Sequence, residues 1–312
     1  MLRCEDGSEL FATLAGKLRY ETKHREELPA VGDFVSVRDT VIEEVLPRKT
    51  VFLRKAVGDA LEAQVIAANI DTVFVVCGLD GDFNVRRLER YYATARASGA
   101  QCAIVLNKAD LSDNLEARIR EVRAVAPGAD VVAISALHGD GIDALRPWLG
   151  AGETVAFVGS SGAGKSTLIN RLLGRERQST GAVREADSRG RHTTTHRELL
   201  ETPTGALLID TPGLRELQPW AGAEDVDGAF PEIEELAAEC RYRDCSHAAE
   251  EGCAVQAAID EGTLDYARFS SYVKMRKEAA YLERQLDVRA QLDQKAAWKK
   301  IHKAMRNVDK RA

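Results

Sequence analysis

Residues 159–166 read Gly-Ser-Ser-Gly-Ala-Gly-Lys-Ser and sit between the apolar run Thr154–Val158 and the helical stretch Thr167–Leu173. A Gly, four residues, then Gly-Lys-Ser between a strand and a helix is the P-loop pattern. Its glycines let backbone N–H groups close on phosphate oxygens, and the helix N-terminus adds positive potential. Gly159, Ser160, Ser161, Gly162, Ala163, Gly164, Lys165, Ser166 and Thr167 are therefore candidate phosphate-binding residues. Lys165 supplies charge at the β- and γ-phosphates, and the Ser166 hydroxyl is a ligand for Mg²⁺. A plain glycine-rich turn is the alternative, and the full pattern in this context argues against it. The loop alone leaves the base open, because ATPases, kinases and GTPases all carry it.

The base is read from Asn107-Lys108-Ala109-Asp110, which ends the apolar run Cys102–Leu106 and matches Asn-Lys-x-Asp. The Asp110 carboxylate accepts hydrogen bonds from guanine N1–H and its exocyclic amine, a donor pair that adenine lacks. Asn107 and Lys108 hold the loop and flank the base. Ser135-Ala136, at the end of the next apolar run, matches the second base-contacting element. Alone, Asn-Lys-x-Asp is a modest signal that an Asn-capped turn also satisfies. With the P-loop and Ser-Ala it points to guanine, so GTP and GDP are the expected nucleotides.

Asp210-Thr211-Pro212-Gly213 matches the Asp-x-x-Gly whose Asp210 reaches Mg²⁺ and whose Gly213 senses the γ-phosphate. Between it and the P-loop, Arg189-Gly190-Arg191-His192-Thr193-Thr194-Thr195-His196 fits a first switch, with Thr194 or Thr195 as the Mg²⁺ ligand. Many GTPases follow Asp-x-x-Gly with a Gln that orients the attacking water. Here Leu214 stands in that place, so intrinsic hydrolysis is expected to be slow. His192, or second to it His196, is the candidate that orients the water, against the alternative of exposed loop histidines.

Ordinary GTPases run P-loop, switch Thr, Asp-x-x-Gly, Asn-Lys-x-Asp, Ser-Ala. Here the last two come first. The same sheet forms if residues 137–153 join the usual chain ends and the chain opens after Asp-x-x-Gly. The second switch then leads straight into the C-terminal region, and residues 213–225 become the expected route by which the γ-phosphate state reaches it.

Around this core lie two further regions. Residues 1–60 read as short β segments (Phe11–Ala15, Lys17–Tyr20, Asp33–Val37, Val41–Leu46) punctuated by Gly and Pro, which suggests a small barrel with an OB-like one as a candidate. From about residue 70, Thr72–Cys77, Cys102–Leu106, Val131–Ile134, Thr154–Val158 and Ala206–Ile209 are continuous apolar runs. They suit a parallel sheet buried on both faces, with covering helices at Arg86–Ser98 and Leu115–Val125. The expected domains are an OB-like β-barrel over 1–60, an α/β P-loop GTPase domain over 61–222 and a helical zinc-binding domain over 223–312.

In the last region Cys240-x₄-Cys245-x-His247-x₅-Cys253 supplies three thiolates and an imidazole, a donor set suited to a structural tetrahedral Zn²⁺. Chance clustering of buried cysteines is the alternative. Cys77 and Cys102, in apolar runs, read as small buried hydrophobes. Leu282 and Leu286, then Trp298, Ile301 and Met305, mark helical stripes read as core contacts.

The net charge is −6, yet residues 274–312 carry twelve Lys/Arg against five Asp/Glu. A basic tail on an acidic body points to a polyanionic partner, with a solvated helical face as the alternative. No apolar run reaches the roughly 20 residues of a membrane span, and the N-terminus lacks a signal-peptide core. A cytoplasmic protein, expected to be monomeric and without a membrane partner, follows.

The rotated motifs, the β-rich leader and the Cys-x₄-Cys-x-His-x₅-Cys cluster together resemble the ribosome small subunit-dependent GTPase A (RsgA/YjeQ) family over nearly the whole chain. The family's Gly-x-His-Thr-Thr-Thr switch is matched at Gly190–Thr195, and its aliphatic residue in place of Gln at Leu214. The resemblance implies an N-terminal OB-fold, a circularly permuted GTPase domain and a zinc domain. It also implies binding to the small ribosomal subunit and its rRNA, stimulation of GTP hydrolysis by that subunit, and a role in its late maturation. The basic extension past about residue 285 departs from the family pattern. Two other readings compete: a guanine-nucleotide-dependent RNA-binding scaffold with incidental hydrolysis, and a P-loop ATPase or nucleotide kinase, which Asp110 disfavours.

Overall fold

The computed structural model describes residues 1–4, 6–22, 25–55, 63–174, 198–210, 222–248 and 250–285. The chain opens with short strands. β1 (Leu2–Arg3) pairs with β2 (Glu9–Leu10), and β3 (Thr13–Leu14) and β4 (Val35–Arg38) flank β5 (Val41–Val45). β6 (Val51–Lys55) and β7 (Ala63–Ala68) form an antiparallel pair. Among the described residues this region is thus three small sheets, and no pairing closes them into one barrel. One expected strand is corrected: Lys17–Tyr20 lies in helix α1 (Gly16–Glu21). That hexapeptide has no β-branched residue, and Lys, Leu and Arg lose little rotamer freedom in a helix. A buried clamp braces the region, with Arg48 donating from Nε and Nη2 to the two oxygens of Asp33 at 2.7 Å each.

The β6–β7 pair straddles the expected boundary at residue 60. Phe52, Ile66 and Ala67 are buried in the same core as Leu88 and Tyr92 of the next region, so the hairpin packs as a seam between the two.

The five apolar runs become the parallel strands of one sheet: β8 (Thr72–Gly78), β9 (Gln101–Asn107), β10 (Asp130–Ala133), β11 (Thr154–Val158) and β13 (Leu207–Asp210). β12 (Glu198–Glu201) adds an antiparallel edge, giving the order β10-β9-β8-β11-β13-β12. Every residue of β8 is buried, as a strand covered on both faces requires. Alternation sends Val73, Val75 and Cys77 to one core and Phe74 and Val76 to the other, where Phe74 meets Phe157 edge-on at 5.6 Å. The connection from β10 at the edge to β11 in the middle runs through a 3₁₀ helix, Ile142–Trp148, whose Leu145 is fully buried.

Helices α2 (Val85–Ala97) and α3 (Leu115–Val125) cover the first face, each started by an Asn: Asn84 accepts from Arg87 N at 2.9 Å and Asn114 from Ala117 N at 3.1 Å. α4 (Lys165–Leu173) lies on the other face.

The C-terminal region is helical, as expected: α5 (Ala223–Ala229), α6 (Pro231–Ala238), α7 (Ala254–Asp260) and α8 over residues 266–285. It shares the core of α2 and α3 through Phe230, Ile233, Phe269 and Tyr272. Arg268 of α8, buried, fastens the two regions. It donates to Glu89 of α2 at 3.1 Å, to Glu232 at 2.6 Å, and to the carbonyls of Val125 and Ala229. Arg90–Glu278 and Arg86–Asp265 pairs flank it. No helix among the described residues is long and apolar enough to cross a membrane.

Candidate nucleotide site and metal centre

Strand register brings the motifs to one end of the sheet. Asn107 ends β9 opposite Gly78, the P-loop follows β11, and Asp210 ends β13 opposite Phe157. All stand at the carboxyl ends of parallel strands, where open α/β sheets hold ligands.

The P-loop turns as its sequence dictates. Gly164 caps α4 with φ +90°, and a Cβ there would lie 2.1 Å from Asn107 Nδ2, so only glycine fits. Lys165 curls back over the loop, donating from Nζ to the carbonyls of Gly159 at 2.8 Å and Ser160 at 2.7 Å. Ser166 lies in the first turn of α4, and Asp210 is buried at the end of β13, opposite Phe157 of β11.

Asn107, itself buried, joins the two halves of the site. Its Nδ2 donates to the carbonyl of Ala163 in the P-loop at 2.8 Å, and its Oδ1 accepts from Ala136 N at 2.9 Å. Ala109 N donates to the Ile134 carbonyl, which fixes the Asn-Lys-x-Asp loop against the Ser-Ala loop. A hydrogen bond from Ser135 holds the Asp110 carboxyl below its ordinary value, with the nearby His138 and Lys108 adding to this. An ionised Asp110 is what recognition of the two guanine donors needs.

Two residues that sequence reasoning missed complete the frame. Arg171 of α4 donates to the carbonyls of Ala136 at 3.2 Å and Leu137 at 2.5 Å, tying the phosphate helix to the Ser-Ala loop. Asp80, just past β8, pairs with the Lys108 ammonium. Partial burial raises the Asp80 carboxyl, but the hydrogen bond from Lys108 and the backbone of Asp82 outweigh it and leave its pKa lowered. Neither residue carries a local signal, because their partners lie 28 to 35 residues away.

Gly213, Leu214, His192, His196, Thr194 and Thr195 lie outside the described residues. So do Leu286, Trp298, Ile301 and Met305 and the basic end of the chain.

The expected metal cluster assembles. The ligand atoms of Cys240, Cys245, His247 and Cys253 all lie within 4.8 Å of one another. Cys240 and Cys253 Sγ are 3.8 Å apart, and His247 Nδ1 is 3.6 and 3.5 Å from them. A tetrahedron with Zn–S near 2.3 Å and Zn–N near 2.0–2.1 Å has edges of about 3.8 Å and about 3.5 Å. The observed spacings and the soft donor set both fit zinc. Two bonds set the ligand orientations: Cys253 caps α7, accepting from Gln256 N at 3.4 Å, and Gln256 Nε2 donates to the His247 carbonyl at 2.5 Å. Outside the cluster, burial pushes the β-strand thiols up, Cys77 to about 11 and Cys102 to about 12, which leaves them inert.

Comparison with known proteins agrees with this geometry. Residues 45–220 match the family described as RsgA GTPase. The chain is 55% identical over 313 residues to the small ribosomal subunit biogenesis GTPase RsgA of Opitutus terrae, covering 96% of this chain and 85% of that protein. It is 53% identical to the like-named protein of Xanthomonas axonopodis pv. citri over 84% of this chain and 73% of the relative. The crystal structure of YjeQ from Thermotoga maritima aligns with a TM-score of 0.64 at 28% identity, over 88% of this chain and 92% of that one. YloQ, a circularly permuted GTPase, shares the fold with a TM-score of 0.59 at 24% identity over 88% of each chain. The rotated motif order and the sheet that reunites those motifs have one explanation: this chain belongs to the RsgA GTPase family and has a circularly permuted GTPase fold.

Proposed function

We infer that this protein binds GTP, hydrolyses it to GDP and phosphate, and acts in the biogenesis of the small ribosomal subunit. The observation that carries the nucleotide reading is the double hydrogen bond of Asn107, which makes the phosphate loop and the base loops one site. Identity of 55% over 96% of this chain and 85% of a small ribosomal subunit biogenesis GTPase carries the ribosomal part.

In this reading Asp110 accepts from the guanine edge, with Asn107, Lys108, Ser135 and Ala136 shaping the base pocket. The backbone N–H groups of the P-loop hold the phosphates, and Lys165 moves from the Gly159 and Ser160 carbonyls onto the β- and γ-oxygens. When bound, Mg²⁺ neutralises charge developing on those oxygens. Ser166, Asp210 and Thr194 or Thr195 are its candidate ligands. Leu214 cannot hydrogen-bond water, so His192 is the residue assigned to orient it. Zinc, when bound, holds the 240–253 loop to the helical domain, and Cys240, Cys245, His247 and Cys253 are its ligands.

We keep the division into a β-rich N-terminal region, proposed to be OB-like although its described strands form three separate small sheets, the permuted GTPase domain and the helical zinc domain, with the β6–β7 hairpin at the first seam. The protein acts as a monomer, with rRNA of the small subunit as its polyanionic partner. Residues 213–225 carry the γ-phosphate state into the helical domain. GTP turnover with and without purified small ribosomal subunits tests the function. Strong stimulation is expected, and turnover indifferent to the subunit would leave hydrolysis incidental.

A further inference from the structure

We propose that Asp80 is a positioning residue of the guanine site, holding the Lys108 side chain stretched from the base-recognition loop toward the phosphate loop before nucleotide arrives. This rests on the reading of Asn107–Asp110 as that recognition loop.

The geometry comes from three elements. Lys108 adopts φ +61°, a left-handed conformation that non-glycine residues hold only where surroundings over-determine it. Those surroundings include the segment after β8: Leu79 N donates to the Asn107 carbonyl at 2.8 Å, and Asp80 Oδ2 receives the Lys108 ammonium. Asp80 is itself fixed by its own turn, its carbonyl accepting from Phe83 N at 3.0 Å and its Oδ1 from Asp82 N at 3.3 Å.

The third element is the P-loop. A Cβ built on Gly78 would lie 3.0 Å from Asp80 Oδ1 and 3.6 Å from Ala163 Cα, so the carboxylate stands beside the phosphate loop with only a glycine between. An ammonium seated on that carboxylate draws the lysine stem from the base loop toward the phosphate loop.

A lysine stem has many rotamers, and ordering it at the moment of binding subtracts from affinity. Asp80 orders it beforehand, and the methylene stem presents an apolar face to a purine. The competing view treats the contact as an ordinary half-exposed ion pair, which contributes little to anything. The two views differ in what happens to the nucleotide.

The test uses the full chain with Asp80→Asn and Asp80→Glu. GDP and ADP are titrated into each by calorimetry, and inorganic tripolyphosphate is scored as a competitor that engages the P-loop without a base. D80N is expected to weaken GDP about tenfold, the scale of immobilising one such side chain. Tripolyphosphate affinity should stay put, and D80E should recover most of the loss. GDP affinity within twofold of wild type, or tripolyphosphate weakened in step with GDP, overturns the proposal. Should D80N fold poorly, Lys108→Met supplies the second arm. Asp80→Ala is then expected to weaken GDP about tenfold in the wild-type background and to have no further effect on K108M, and an additive loss contradicts the coupling. A wild type that does not prefer GDP over ADP removes the guanine reading and this proposal together. A wild type that does, with D80N unaffected, removes the proposal alone.

Discussion

Asn107 and Ala163 are 56 residues apart in sequence, yet the Asn107 amide donates to the Ala163 carbonyl at 2.8 Å inside the protein core. That bond connects the Asn107–Asp110 loop to the P-loop, and the other end of the Asn107 amide accepts from Ala136 N. The rotation of the motif order therefore leaves the site's geometry whole: what matters is which strand ends are neighbours, and the sheet order supplies that.

Asn107→Ala should damage both binding and folding. It leaves the Ala136 N–H and the Ala163 carbonyl without their partner, and a buried unsatisfied polar group costs about 1–3 kcal/mol. We expect GDP affinity to fall at least tenfold and the urea midpoint to drop. A variant with wild-type GDP affinity contradicts the bridging role.

Asp110→Asn should change the base and spare the phosphates. Guanine's two donors would face an amide N–H, and a site built on hydrogen bonds rejects a mismatched partner by orders of magnitude. GTP turnover should fall at least 100-fold by that same logic, while xanthosine triphosphate, which offers an acceptor, is turned over. The pH dependence has a definite sign. Ser135 and its neighbours lower the Asp110 pKa from its ordinary 3.8. GDP affinity should thus hold on the alkaline side of 3.8 and be lost only as the pH falls through the lowered value. A GDP titration series that declines already between pH 7 and 5 with the fold intact argues against Asp110 as the acceptor.

Most of this site was legible in the sequence because its parts are local. Residues 159–166 announce themselves by glycine spacing, and Cys240 to Cys253 by four ligands in one short loop. Continuous apolar runs mark the parallel strands because a strand buried on both faces has no polar side to interrupt it. The failures have the same logic inverted. Lys17–Tyr20 looks like a strand from its punctuation but is a short helix, since a six-residue segment with a single half-buried apolar residue, Leu18, carries little pattern of either period. β12, Glu198–Glu201, is an edge strand with only Leu200 deeply buried, so it shows no apolar run. Asp80, Arg171 and the Glu89–Arg268 pair act across long sequence gaps, where only the fold can bring them together.

Arg268→Ala should destabilise the chain severely. Glu89, 1% exposed, would keep only Arg86 as its ion-pair partner, with its Oε2 already lacking a hydrogen-bond partner among the described residues. Breaking a buried pair from one side costs about 3–5 kcal/mol, whereas replacing both members by apolar residues is often neutral. Arg268→Leu combined with Glu89→Leu should therefore recover much of the loss in a denaturant melt. If the double variant is as unstable as the single one, packing around the guanidinium, which lies 4.0 Å over the Phe230 ring, carries the stability instead.

Zinc affinity should rise with pH. In the metal-free loop, partial burial and the neighbouring Cys253 and Cys240 push the Cys245 thiol up to about 11, so binding must expel its proton. Competition with a chromophoric chelator should show tighter zinc at pH 8 than at pH 6, and stripping the metal should lower the melting temperature. Equal affinity at both pH values, or a melt unchanged by chelation, speaks against a thiolate-bound structural ion.

Asp110 at the base and Lys165 at the phosphates are expected to share one nucleotide. Calorimetric titration of GDP and ADP into the wild-type protein tests that directly. The predicted result is one GDP site per chain, with ADP weaker by a factor on the order of 10³ or more, as hydrogen-bonded base selection allows. Equal affinities for GDP and ADP would contradict it.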